Sequence, residues 1–243
     1  MVNVLSYSFD FYAKHLRLIL LFSISFLIAF IIPGLAPLPA YNDAGAIFVR
    51  TASIFVNLNI ISASIIVAAV FFSLLFLSFA IVAINILVKY GRIHTKIRKE
   101  IMDGLERYTG STFAVLVAYS VILYLINIAS FPTGYSGLFT YAAALILAPF
   151  FFYAPSSIVI DEKPIGRAMM ASLRFVVKRF DYFLLWLAIA IVLITLFDFV
   201  FIAATGTLLS RYTMVVFNSL FILPFLVVLQ SEMYMKRFAL LKR

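Results

Sequence analysis

From Thr51 to Val88 the chain runs for 38 residues without one charged side chain. As a single helix at 1.5 Å per residue that stretch would be about 57 Å long, nearly twice the ~30 Å hydrocarbon core of a bilayer. It is too long for one ordinary span and too apolar for water. Counting back from Lys89, the membrane-crossing part is expected at about 64–88. Thr51 to Ala63, with Asn57 and Asn59, is then left as an outer segment.

The remaining apolar runs repeat the pattern. With 65% hydrophobic and only 12% charged residues, the chain lies outside the range of soluble domains. Six spans are expected at approximately 16–33, 64–88, 111–131, 137–160, 181–203 and 212–235. They are separated by turn chemistry at Pro33-Gly34, Phe131-Pro132-Thr133-Gly134 and Thr205-Gly206. Small residues at Gly34-Leu35-Ala36 suggest a cleavage site after the first run, but Pro37 follows directly, so the run is expected to stay as a helix. Pro149, Pro155 and Pro224 fall inside apolar runs and read as kinks, tolerated where neighbours satisfy the freed carbonyl.

The net charge of +9 would suggest nucleic acid in a soluble protein, but the placement of the cations points to a membrane instead. Lys14 and Arg17 precede the first run. Lys89, Arg92, Lys96, Arg98, Lys99 and Arg107 fill the second connection, and Lys163, Arg167, Arg174, Lys178 and Arg179 the fourth. Lys236, Arg237, Lys242 and Arg243 follow the last run. Seventeen cations thus share one side, against Arg50 and Arg211 on the other. The positive-inside rule puts both termini in the cytoplasm of a multi-pass cell-membrane protein.

Three basic segments with helical periodicity precede spans 1, 3 and 5. In the first, Leu5, Phe9, Tyr12 and Leu16 form an apolar stripe; in the second, Ile93, Ile97, Ile101, Leu105 and Tyr108 do so. In the third, Pro164 sits at a helix start, and Ile165, Met169, Leu173 and Val176 oppose Arg167, Arg174 and Lys178. The expected fold is therefore an all-α polytopic bundle, one membrane domain over 1–243, with three cytoplasmic amphipathic helices on the inner leaflet. Arg92, Lys96, Lys99, Arg167, Arg174 and Lys178 are the candidate contacts to anionic lipid. An amphipathic helix followed by a membrane hairpin, three times over, would be a repeat about an axis along the membrane normal.

Pro155, Asp161 or Glu162, Ala168, Ser172 and Lys178 lie in the run PSSIVIDEKPIGRAMMASLRFVVK. This pattern of an apolar run with Pro, an acidic turn, then Ala, Ser and a basic residue resembles a signature of six-helix membrane proteins. They include the YciC-like inner-membrane proteins and the membrane domain attached to some glycerophosphodiester phosphodiesterases. The resemblance implies a six-helix topology and no catalytic residue. Ala168 and Ser172, four apart, would also allow close helix packing by size alone.

Candidate chemistry is sparse. There is no Cys, and neither His15 nor His94 stands in a metal-ligand spacing. No phosphate-binding glycine loop or nucleophile elbow occurs, so no enzyme activity, metal or cofactor is expected. Asn127, Asp198 and Asn218 map to the outer third of their spans, at a level with Asn57 and Asn59. They would line an outward-opening cavity in a transporter of small solutes or lipids, or lock helices together in a scaffold or accessory subunit. Asp198 is expected to pair with Arg211 or an outer Asn.

Overall fold

A computed structural model describes residues 2–35, 40–43, 45–49, 60–91 and 97–236. Apart from one hairpin, the described chain is helical: α1 (Val2–Lys14), α2 (Leu16–Leu35), α3 (Ile60–Tyr90) and α4 (Ile97–Ser130) come first. After a short 3-10 turn at Phe131–Thr133 follow α5 (Ser136–Phe151), α6 (Ala154–Ile160), α7 (Ile165–Lys178) and α8 (Phe180–Phe217). A π-helical segment, Asn218–Ile222, leads into α9 (Leu223–Met235). Within α8 the helix breaks at Gly206, whose φ of 76° and ψ of 171° are extended and left-handed, a conformation glycine adopts freely.

Among the described residues, six segments are long and apolar enough to cross a membrane: Leu16–Leu35, Ile60–Tyr90, Lys99–Thr133, Ser136–Ile160, Phe180–Gly206 and Leu209–Met235. The chain is a multi-pass membrane protein of six spans. The sixth is the most buried and the fifth the least, so the last helix is central and the fifth peripheral. The main core gathers Ile19, Phe26, Ile84, Leu87, Val115 and Val228 from α2, α3, α4 and α9.

Between α2 and α3 lies a feature absent from the sequence reading. β1 (Ala40–Asp43) pairs antiparallel with β2 (Ala46–Val49), Tyr41 opposite Phe48. Gly45 at its tip is buried with a φ of 72°.

The amphipathic segments depart from expectation in both α1 and α4. α1 and α7 are separate helices, but the segment before span 3 is continuous with that span in α4. Ile101, Leu105 and Tyr108, read as a lipid-facing stripe, are buried in the protein core. The periodicity was that of a helix, but its partner is protein rather than lipid. The second amphipathic segment is thus not a separate helix as α1 and α7 are. In α1 it is Val4, Ser8 and Phe11 that face the bundle, while Leu5 and Phe9 are exposed.

Candidate functional site: a braced helix break at the basic end

Span 4 does not cross as one helix. Residues 136–153 cover about 27 Å at 1.5 Å per residue, already close to a hydrocarbon core, and there the helix breaks between Phe151 and Ala154. In an uninterrupted helix the N–H of Tyr153 would bond the carbonyl of Pro149. Here the hydroxyl of Ser172 stands between them. Ser172 Oγ accepts from Tyr153 N at 2.9 Å and donates to Pro149 O at 2.7 Å. One rung of the ladder is thus replaced by a side chain from α7. Gln230 of α9 donates to the carbonyl of Phe152, another group exposed by the break. Pro155, in the first turn of α6, has no N–H to leave unsatisfied.

Aromatic rings close around this break. Phe152 meets Tyr153, Phe183 and Trp186 edge to face, with centroids 4.7, 5.1 and 4.6 Å away. Tyr153 also packs on Phe175 of α7 and Tyr234 of α9. Such pairs are worth about 0.5–1.5 kcal/mol each beyond burial. The Trp186 indole N–H is satisfied by Leu226 O at 2.9 Å.

Beyond the break, α6 is buried from Ala154 to Val159, and its far end carries the charged groups. Glu162 ends the helix with a φ of 55°, the left-handed turn that stops further winding. Lys89 Nζ donates both to Val159 O and to Glu162 Oε1, each at 2.9 Å, placing a cation at a helix C-terminus. Arg107 lies 3.2 Å from Glu162 Oε2. The Lys89 hydrogen bond is the main cause that holds the Glu162 carboxyl below its usual range, helped by the charges of Lys89 and Arg107 and opposed by burial. Next to it, Asp161 Oδ2 accepts from Lys163 Nζ and Tyr234 OH, both at 2.7 Å. One level away, Asn85 of α3 and Ser231 of α9 are joined, with Oγ to Oδ1 at 2.9 Å, both fully buried.

The residues singled out in the sequence are placed as follows. Asn127 Nδ2 donates to Thr140 Oγ1 at 3.1 Å, tying α4 to α5. Asn218 Nδ2 donates to Gly45 O at 3.1 Å, holding the tip of the outer hairpin against the π-helical segment. Asp198 is half-buried and forms neither an ion pair with Arg211 nor a hydrogen bond to either Asn among the described residues; Arg211 is exposed. The expected Asp198–Arg211 pair is therefore not formed. Asn57, Asn59, Arg50, Arg92 and Lys96 lie outside the described residues. Lys99, Arg167, Arg174 and Lys178 are exposed.

Asn127 and Asn218 are thus bonded to different partners, not converged on a shared cavity. An apolar groove of about 520 Å³ runs along α3 from Ile60 to Phe72 and includes none of the polar candidates. The braced break was missed as a site. Its signals were Pro149 and Pro155, read as kinks with a freed carbonyl, and Gln230, the sole Gln of the chain.

Comparison of the chain with protein-family models, with curated proteins and with solved structures finds no match.

Proposed function

We propose that this is a non-enzymatic multi-pass protein of the cell membrane that works by association, as a scaffold or accessory subunit of a membrane assembly. Its basic end and both termini lie in the cytoplasm. The observation that carries this reading is the use made of polar side chains. Ser172, Gln230, Asn85, Ser231, Asn127 and Asn218 each satisfy a helix break, a neighbouring helix or the outer hairpin. Polar groups that bond one element to another in this way stiffen a bundle, and the Asn127 and Asn218 amides are spent on separate elements instead of facing one path for solute. The resemblance to the YciC-like superfamily belongs to the same proposal. Its five positions gather around one structure: Pro155 opens α6, Asp161 and Glu162 close it, Ala168 and Ser172 are the buried face of α7, and Lys178 ends it.

The test is photo-crosslinking from the exposed faces of α7 and α8 in native membranes, followed by purification, alongside solute uptake by reconstituted vesicles. A defined membrane partner with no uptake is the expected result. Uptake that disappears in Asn218→Ala or Asp198→Asn protein would replace this reading with the transporter.

A further inference from the structure

Resting on the membrane placement just proposed, one helix has two faces of different kinds. Successive residues of a helix are turned by about 100°, so Ala168, Ser172, Phe175 and Val176 of α7 share one arc, and all four are buried. The opposite arc is exposed and itself divided. Met170 and Val177, 45% and 71% exposed, stand on one edge; Arg167, Arg174 and Lys178 stand on the other. Exposed apolar side chains beside a row of cations suit neither water nor hydrocarbon alone. They suit the boundary between them, with the apolar edge among acyl chains and the cationic edge at the headgroups. The break in span 4, about 27 Å from its start, puts α7 at that depth.

We propose that α7 is an anionic-lipid docking helix and that Ser172 transmits its docking to the break in span 4. The occupant follows from charge: three cations on one edge and no acid among the residues of α7 call for phosphate-bearing lipid of net negative charge. The coupling follows from geometry. The hydroxyl that fills the gap between Pro149 and Tyr153 belongs to the buried face of the same helix. Lipid that fixes α7 holds that hydroxyl in the gap, and an α7 released from the surface lets the break open.

Hydrogen exchange of residues 149–160 reads the opening directly. The full chain is placed in nanodiscs of phosphatidylcholine alone or with phosphatidylglycerol. Wild-type protein should exchange there several-fold more slowly with phosphatidylglycerol. The triple variant Arg167→Gln, Arg174→Gln, Lys178→Gln should exchange alike in both lipids, and Arg→Lys replacements at 167 and 174 should keep the difference. Ser172→Ala should retain phosphatidylglycerol in native mass spectrometry yet lose the lipid-dependent slowing. The inference is overturned if wild-type exchange is equal in the two lipids, as when a protein partner covers the face. It is also overturned if the triple variant responds like wild type, or if Ser172→Ala keeps the full response. Partner capture by the triple variant remains a separate readout, so the scaffold proposal stands or falls independently.

Discussion

Ser172 bears more on the arrangement of the bundle than its size suggests, because one hydroxyl serves both a backbone donor and a backbone acceptor in a place with little water. Ser172→Ala leaves Tyr153 N–H and Pro149 O without that partner. It is expected to cost about 1–3 kcal/mol, the usual penalty for stranding buried polar groups. Thermal unfolding in detergent measures it, and Asn127→Ala, whose partner Thr140 keeps its bond to Ser136 O, is expected to cost less. Two titratable groups outside the spans give the fold a dependence on pH. His15 is held below its ordinary value of 6.5, first by burial and then by the charge of Lys14, so the native state favours the neutral ring. Its contribution is complete above 6.5 and shrinks as the pH falls below that value. Glu162 is held below 4.5, chiefly by its bond to Lys89, so its contribution is present above 4.5 and is lost as the pH falls through the depressed value. Unfolding temperature should therefore decline in two stages on acidification. His15→Asn should remove the upper stage and Glu162→Gln the lower; a single stage unaffected by either variant would contradict both assignments.

At the level of elements, periodicity announced helices dependably but not what they touch. Ile101, Leu105 and Tyr108 recur at helical spacing in the sequence, and they are one face of α4; whether that face meets lipid or protein depends on α3 and α6, which no local pattern contains. The break in span 4 was half legible. Pro149 and Pro155 mark it, but its satisfaction by Ser172, 19 residues downstream of Tyr153, and by Gln230, 78 residues downstream of Phe152, arises only from packing. The hairpin between α2 and α3 was only faintly legible: Ile47, Phe48 and Val49 favour a strand and Gly45 a turn, but Asn42 and Asp43 in the facing strand disfavour one. Its tip supplies a test. A Cβ on Gly45 would lie 2.7 Å from Asn218 Nδ2, and its φ of 72° is unfavourable for any other residue. Gly45→Ala should cost at least ~1–2 kcal/mol from backbone strain alone and should loosen the hairpin, raising proteolysis within 40–49. Asn218→Ala should loosen the same hairpin without the backbone strain.

For the whole molecule, charge and hydropathy together bear on the proposed orientation. The groups around α6 add a physical reason to the loop count: Lys89, Arg107 and Lys163 are engaged with Glu162 and Asp161 at one end of the bundle, so those cations are fixed there by folding. Moving that end through a bilayer would carry the exposed cations of α7 across it, each costing about 2.5–3.5 kcal/mol at the membrane centre. The opposite end has Arg211 as its described cation, exposed, and the turn at Gly134 and Gly206. Because the chain has no cysteine, single cysteines can be introduced on an otherwise unreactive background. A cysteine at Ser136, beside the turn between α4 and α5, is expected to react with an impermeant maleimide added outside intact cells. One at Lys178, at the end of α7, is expected to react only after the membrane is opened. The same pair of sites labelled in the reverse sense would invert the topology and remove the basis for lipid docking by α7, because the cytoplasmic leaflet is where anionic lipid is concentrated.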